Sequence, residues 1–339
     1  MTPRMLDLIY RIPEQIRHAA RLAQAASLPV VPPPEDIVIA AMGGSAISAD
    51  LLQGLLWRTS PNRLVVVKDY DLPRVPRSSL FFAISYSGNT EETLSAYRQA
   101  VRRHLPRVVI TSGGELARLA GRYRDAVIIV PPGYPPRTVI GYLFTALLTT
   151  LCRYRLIPQS AIRNPQSAIR ETARLLARVR NRYLARARRL ARQLRNRIPV
   201  IYSTSPLLNP VASRWRCQLN ENSKTFAHVN TFPELDHNEI VGFRRPKALA
   251  RLAHPLVLSD PDANPRTAIR TRLTLQILRR HYAQARIILP DGNSPLARVF
   301  SLILLGDLVS YYLAREYGID PVPVKPIEEL KKRMAAIQR

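Results

Sequence analysis

The fold is decided by residues 80–93, which read Leu-Phe-Phe-Ala-Ile-Ser-Tyr-Ser-Gly-Asn-Thr-Glu-Glu-Thr. An apolar run of strand length opens this stretch, a turn rich in hydroxyl side chains follows, and an amphipathic helical pattern begins at Glu91. This order directs unpaired backbone N–H groups and the positive end of the helix dipole at one point, which favours an anion. An ordinary helix N-cap would explain the same turn. The hydroxyls available to an anion there belong to Ser85, Ser87 and Thr90.

A second loop of the same kind follows an earlier strand. Residues 36–42 are apolar after Asp36 and predict a buried strand, and Gly43-Gly44-Ser45 leads from it into a helix. The glycines permit close approach of the backbone to a ligand, and Ser45 offers another hydroxyl. Neither loop carries the Gly-Lys-Ser/Thr ending of a nucleotide-binding P-loop. Two such loops predict a site for one phosphomonoester held by neutral donors.

Short apolar strands alternate with helices along most of the chain, which predicts an α/β fold with parallel sheets covered on both faces. Residues 156–167 have the character of a linker, so we predict two domains, 1–157 and 158–339. Ligands of such sheets bind beyond the carboxyl ends of the strands, where both hydroxyl loops and Arg137 are expected. The predicted strands are 36–42, 64–68, 80–85, 107–112 and 126–130, then 198–204, 224–230, 254–259 and 285–290.

The helices are predicted from the intervening apolar periodicity. A first amphipathic helix is expected at 3–27, and a long apolar helix is expected to begin at Arg137. In the second unit, helices are expected at about 208–221, 264–283 and 293–317, and a terminal basic helix from about Ile327.

The composition is that of a globular chain of about two domains: 339 residues, 46% of them hydrophobic. No apolar run approaches 18 residues and no signal peptide opens the sequence, so we expect a cytoplasmic protein without a membrane span. Cys152 and Cys217 are far apart, which disfavours a disulfide framework or a zinc site.

The formal charge of +27 is unusual, and 45 of the 51 basic residues are arginine. Such a charge is typical of some nucleic-acid binders, but the arginines are dispersed and no DNA- or RNA-binding motif accompanies them. The densest region, 163–197, also has leucines at helical spacing and predicts two amphipathic helices with solvated basic faces. We therefore expect no specific nucleic-acid partner.

Two segments concentrate acidic and amide side chains in this basic chain: Asn220-Glu-Asn-Ser-Lys224 and Pro233-Glu-Leu-Asp-His-Asn-Glu239, both expected to be loops. Glu221 and His237 could divide two proton transfers on one bound sugar phosphate. A helix-end carboxylate paired with an arginine would equally explain Glu221, and a packing role would explain His237. Without a His-x-x-x-His pair or a Cys cluster, we expect no metal and no other cofactor.

The two hydroxyl loops and the two polar segments, in this order, resemble the bifunctional phosphoglucose/phosphomannose isomerase family of the sugar isomerase (SIS) superfamily. The serine-rich loop is typical of the whole superfamily, whereas Asn220-Glu-Asn222 together with His237-Asn-Glu239 is more specific. The resemblance implies two SIS domains, each a flavodoxin-like three-layer α/β/α sandwich, in a cytoplasmic homodimer that acts in glycolysis and gluconeogenesis.

The resemblance also assigns roles to single residues. Glu221 would move a proton between C1 and C2 of the sugar through a cis-enediol, and Arg137 would stabilise the charge of that intermediate. His237, contributed by the neighbouring subunit, would open the sugar ring with help from Lys331. The phosphate of the sugar 6-phosphate would be bound by Gly44, Ser45, Ser85, Ser87 and Thr90.

One segment departs from the family pattern. Relatives carry a threonine just before the terminal helix that is linked to acceptance of the mannose epimer, and residues 319–327 contain none. The expectation is therefore firmer for glucose 6-phosphate than for mannose 6-phosphate. Another SIS isomerase, a non-catalytic sugar-phosphate sensor and a basic nucleic-acid binder are the alternatives, and the last explains neither hydroxyl loop.

Overall fold

A computed structural model describes residues 5–242, 245–279 and 285–337, and it contains two parallel β-sheets flanked by helices. The first sheet has five strands in the order β2-β1-β3-β4-β5, which is the flavodoxin-like order. Every residue of β1 and β3 is buried, as expected of strands covered on both faces. The strands are β1 Asp36–Ala41, β2 Arg63–Val67, β3 Leu80–Ser85, β4 Arg107–Thr111 and β5 Ala126–Ile129.

The second sheet has four strands in the order β7-β6-β8-β9, which repeats the first order without its fifth strand. The α/β class is therefore confirmed, and the two sheets lie within the two predicted domains, whose boundary stays a prediction. The strands are β6 Ile198–Ser203, β7 His228–Thr231, β8 Ala253–Leu258 and β9 Arg286–Ile288.

Thirteen α-helices occupy the described residues: α1 Met5–Tyr10, α2 Ile12–Ala25, α3 Gly43–Leu56, α4 Glu91–Arg102, α5 Gly114–Arg122, α6 Ile140–Arg153, α7 Pro165–Leu194, α8 Asn209–Ser223, α9 Glu239–Gly242, α10 Lys247–Leu252, α11 Pro265–Leu278, α12 Pro295–Glu316 and α13 Lys325–Ile337. Two short 3₁₀ helices, Pro136–Thr138 and Glu234–His237, follow β5 and β7.

Two predicted helices start or divide differently in the structure. The helix predicted at 3–27 is broken at Arg11, because Pro13 has no N–H to donate to the carbonyl of Ile9. The helix predicted to begin at Arg137 begins at Ile140, and Arg137 lies in the preceding 3₁₀ helix. The predicted start of the first helix, at 3–4, and the predicted end of the helix at 264–283, at 280–283, lie outside the described residues.

The two basic helices predicted within 163–197 are a single helix, α7, of 30 residues. Its start is capped by Asn164, whose side chain accepts a hydrogen bond from the Ser167 N–H. No glycine or proline interrupts it after Pro165, and its apolar stripe packs on α2 and α12. The prediction of a break was therefore wrong, although the solvated basic face is as expected.

The core joins the two halves of the chain. One apolar cluster contains buried residues of both sheets and of the helices between them, with α12 packed on α7 and α8. By length and composition α12 could cross a bilayer, but 89% of its most apolar window is buried inside the protein. Helix α3 packs on α8, and its Gly54 lies so close to Pro206, which precedes α8, that a Cβ on Gly54 would be 2.5 Å from the Pro206 carbonyl oxygen.

Candidate active site

The predicted phosphate cradle is formed by the loops after β1 and β3, which are neighbouring strands of the first sheet. The hydroxyl Oγ of Ser85 is 2.9 Å from Oγ1 of Thr90, and the Tyr86 N–H donates to Oγ of Ser45 at 3.3 Å. Ser45 and Ser85 are buried, and Ser87 is exposed at the mouth of the loop. The structure thus brings together the hydroxyls that the sequence placed in separate loops.

The backbone donors at this point are not used by side-chain caps. Thr90 precedes α4 and Met42 precedes α3, and neither side chain caps its helix. The Ser45 N–H donates to the carbonyl of Met42 at 3.0 Å. Within the described chain, no side chain occupies the other first-turn N–H groups of the two helices, so these can bind an anion. This favours the anion cradle over the ordinary N-cap.

Glu221 lies in the last turn of α8, so the expectation that residues 220–223 form a loop was wrong. The helix continues through Ser223 and ends at Lys224, which takes the left-handed conformation with φ of 54°. The Glu221 side chain is 28% exposed, and its Oε2 is 3.7 Å from Nη1 of Arg137. Glu221 is thus a carboxylate near a helix end and beside an arginine, as the alternative interpretation expected. The same arginine also lies next to the phosphate cradle.

Burial and neighbouring charges shift the pKa values of both Glu221 and Arg137. Burial raises the pKa of Glu221, and the positive charges of Arg137, Arg214, Lys224 and Lys331 oppose that rise. Burial likewise lowers the pKa of Arg137, against the attraction of Glu221 and Asp320. A carboxylate with a raised pKa is a stronger base than an exposed one, which suits it to accept a proton from carbon.

Arg137 is held on three sides. Its Nε donates to Oδ1 of Asn222 at 2.7 Å, and its Nη2 donates to the carbonyl oxygens of Pro321 at 2.7 Å and Val322 at 2.8 Å. Nη1 is left to face Glu221. A Cβ on Gly44 would lie 3.3 Å from the carbonyl oxygen of Pro136, so the glycine lets the cradle sit directly on the Arg137 backbone. Cradle, arginine and carboxylate therefore share one cleft between the two sheets.

A buried ion pair that the sequence analysis missed supports this cleft. Arg214 on α8 and Asp307 on α12 are each 2% exposed and are joined by two hydrogen bonds of 2.7 and 3.1 Å. Nη2 of Arg214 also donates to the backbone carbonyl of Arg137 at 2.8 Å. Asn222 in turn donates to Oγ of Ser310, one turn after Asp307. A lone aspartate inside the apolar run of α12 was the signal available in the sequence.

The remaining predicted residues lie at different distances from Glu221. Lys331 is exposed on α13. It makes no hydrogen bond with Glu221, but its positive charge lowers the pKa of the Glu221 carboxyl. Lys224, which was not assigned a role, donates to the carbonyl oxygens of Glu221 at 2.5 Å and Pro323 at 2.6 Å. It fastens the segment before α13 to the end of α8.

His237 is separated from Glu221 within the chain. Helix α8 runs from the carboxyl edge of the second sheet to its amino edge, and its 15 residues span about 22 Å. His237 follows β7 at the carboxyl edge, is exposed, and makes no hydrogen bond or ion pair with Glu221 or Arg137. Across 5–242, 245–279 and 285–337, no group of three or more His, Cys, Asp or Glu side chains is placed to hold a metal ion.

Family models match both halves of the chain. Residues 33–155 match the SIS domain, and residues 184–334 match the bacterial phospho-glucose isomerase C-terminal SIS domain. The fold is thus two SIS domains.

Relatives match over nearly full length. The bifunctional phosphoglucose/phosphomannose isomerase of Caldicellulosiruptor bescii is 39% identical over 98% of this chain and 100% of that protein. The protein of the same name from Aquifex aeolicus is 36% identical over 89% and 91% of the two chains. A D-glucosamine-6-phosphate 4-epimerase of Sulfolobus acidocaldarius is 26% identical over 90% and 91%.

Solved structures agree on the fold. The C-terminal domain of glucosamine-fructose-6-phosphate aminotransferase from Francisella tularensis superposes with a TM-score of 0.72 at 15% identity, covering 94% of this chain and 98% of that one. A hypothetical protein from Thermus thermophilus superposes with a TM-score of 0.73 at 18% identity, covering 98% and 90%.

Proposed function

This chain belongs to the family of bifunctional phosphoglucose/phosphomannose isomerases, and we propose that it interconverts glucose 6-phosphate, and also mannose 6-phosphate, with fructose 6-phosphate. The observation that carries the proposal is the Arg137–Glu221 pair in the same cleft as the hydroxyl cradle. A phosphate in the cradle would anchor the sugar, and the pair would act on its carbonyl end.

The proton transfer falls to Glu221. Its carboxylate removes the proton from C2 of the open-chain aldose and returns it to C1, while the hydroxyl proton moves between O1 and O2 of the cis-enediol. Burial raises the pKa of this carboxyl and so strengthens it as a base. The Nη1 group of Arg137, 3.7 Å from Glu221, stabilises the negative oxygen of the intermediate.

Phosphate binding is assigned to neutral donors. The hydroxyls of Ser45, Ser85, Ser87 and Thr90 and the backbone at Gly44 surround the open helix starts, where a dianion is favoured by the helix dipoles. No metal and no cofactor takes part in this scheme.

Ring opening is assigned to His237 of a second copy of the chain, helped by Lys331. Since His237 and Glu221 lie at opposite edges of one sheet, a homodimer is the arrangement that lets them act on one sugar. Helix α13 supports such a dimer, because it presents an apolar stripe to solvent. The stripe consists of Ile327, Leu330, Met334 and Ile337.

Epimer choice is assigned to the segment before α13. The carbonyl groups of Pro321 and Val322 accept hydrogen bonds from Arg137, so this segment forms one wall of the cleft. It does so without the threonine that relatives carry here. We further propose that the enzyme acts in the cytoplasm, in glycolysis and gluconeogenesis, which is in line with the sugar-phosphate isomerase names of its relatives.

A coupled assay in EDTA tests the function. Fructose 6-phosphate formed from glucose 6-phosphate, and separately from mannose 6-phosphate, is followed for the wild type, for Glu221→Gln and for the exposed control Glu14→Gln. We expect turnover that Glu221→Gln alone abolishes. Retained binding of phosphosugars without turnover by the wild type would contradict the proposal and favour a sensor, and turnover of an amino sugar phosphate alone would favour another SIS enzyme.

A further inference from the structure

A cavity of about 800 Å³ lies between α7 and the turn at 291–293, away from the cleft of Glu221. This volume is in the range of small-molecule sites. Its floor is apolar, formed by Leu175 and Val179, which are each 5% exposed. Its far wall is closely packed, because a Cβ on Gly292 would lie 2.6 Å from Ala297 and 2.8 Å from Leu175. The cavity is therefore a groove with an apolar floor and a closely packed wall.

Four arginines line this groove at successive turns of α7: Arg170, Arg174, Arg178 and Arg182. Residues four apart are neighbours, about 6 Å apart along the axis and about 40° apart around it, so the four arginines form a slanted row along the helix surface. Arg182 is paired with Asp291 at 2.7 Å. In the described part of the chain, the other three make no ion pair or hydrogen bond with protein groups.

The two carboxylates in the groove are already engaged. Asp291 accepts from Tyr183 at 2.5 Å as well as from Arg182. Glu171 accepts from the backbone N–H groups of Asn293 and Ser294, at 3.3 Å each. Against four arginines these acids leave an excess of two positive charges, and Glu171 is the one carboxylate of the lining left to face the three unpaired guanidinium groups. A row of forked donors with this spacing is suited to phosphate oxygens.

We propose that this groove binds a small ligand that carries several linked phosphates, with its non-phosphate part over Leu175 and Val179. Arg170, Arg174 and Arg178 bind the phosphates. The ligand is distinct from the substrate, because the cradle for a single phosphate is built from hydroxyls and helix starts, whereas this groove is built from arginines. The inference does not depend on the proposed isomerase activity.

The test uses isothermal titration of the full chain at physiological ionic strength with ATP, with inorganic tripolyphosphate and with a short single-stranded RNA. Excess glucose 6-phosphate is present to occupy the cradle. The variant Arg170→Gln/Arg174→Gln/Arg178→Gln is compared with Arg189→Gln/Arg192→Gln/Arg195→Gln, which removes the same charge from exposed arginines outside the groove. We expect the first variant to raise the Kd at least about tenfold and the second to leave it nearly unchanged.

The probes separate the sources of the phosphates. Equal affinity for tripolyphosphate and ATP identifies the phosphate chain as the recognised group, and preference for ATP adds the nucleoside; both support the groove. The proposal is overturned if neither compound binds, since the groove then has no affinity for linked phosphates. It is also overturned if the two variants weaken binding equally or if RNA binds more tightly than both compounds, since either result marks diffuse attraction to a basic surface.

Discussion

Replacing Asp307 by asparagine should destabilise the protein severely, because it removes one member of a buried ion pair. Arg214 and Asp307 are each 2% exposed, and the change leaves the guanidinium buried without its carboxylate. Breaking such a pair typically costs about 3–5 kcal/mol of unfolding free energy. Glu115→Gln, which breaks the exposed pair with Arg118, is the control and should cost far less than Asp307→Asn, because solvent screens this pair. Urea unfolding followed by circular dichroism measures both.

The double variant Arg214→Met/Asp307→Leu separates stability from positioning. Replacing a buried pair by apolar residues of similar volume is often neutral or stabilising. The double variant should therefore recover most of the stability, yet still lack the 2.8 Å hydrogen bond from Arg214 to the carbonyl of Arg137. We expect its kcat to fall by about tenfold or more, the equivalent of one lost hydrogen bond of about 1.4 kcal/mol, with a smaller change in KM.

Two results would refute this reasoning. A loss below about 1 kcal/mol for Asp307→Asn would mean that the pair is not desolvated as its burial indicates. Full recovery of both stability and kcat in the double variant would mean that Arg214 does not position Arg137.

Four further changes test the site. Glu221→Gln should lower kcat by ~10²–10⁴-fold while equilibrium binding of glucose 6-phosphate is retained, and a similar loss of binding would contradict its role as base. Because the charge of Lys331 lowers the pKa of Glu221, Lys331→Met should raise that pKa, so the acidic limb of kcat/KM moves to higher pH; an unchanged limb would remove Lys331 from the site. Mixing Glu221→Gln with His237→Ala chains should restore about a quarter of wild-type activity if the two residues meet across a two-fold dimer, and no recovery would show that they act within one chain. Gly54→Val should lower the urea midpoint by an amount equivalent to about 1–3 kcal/mol, because its Cβ would overlap Pro206. Gly121→Val is the control, since a Cβ there meets nothing within 4 Å, and an equal loss in both variants would show that the overlap does not matter.

The strands could be predicted because their signal is local. Fully buried parallel strands are continuous apolar runs, and β1 and β3 are found where those runs occur. The hydroxyl loops were equally visible, since strand, turn and helix start are adjacent in sequence. The extent of α7 was predicted wrongly although no glycine or proline interrupts residues 166–194, because the contacts of its apolar stripe with α2 and α12, which hold it as one helix, are not visible in the sequence.

The pairings between distant segments could not be predicted. The partners of Arg137 are Asn222, 85 positions away, and Pro321, 184 positions away. No periodicity connects such residues, and their contact is set by how the two sheets pack. The same applies to Arg214 with Asp307, where each charge is embedded in an otherwise apolar helix face.

The hydrogen bonds from Arg137 to the carbonyl groups of Pro321 and Val322 form late during synthesis of the chain. The ribosome delivers the first sheet, the cradle and Arg137 well before the carbonyl groups that accept from its guanidinium. A nascent chain that ends after α12 contains both sheets but leaves that buried guanidinium without two acceptors. The segment that contains Pro321 and Val322 thus completes the hydrogen bonding of Arg137, and we expect chains truncated before Pro321 to be inactive and prone to degradation despite an intact core.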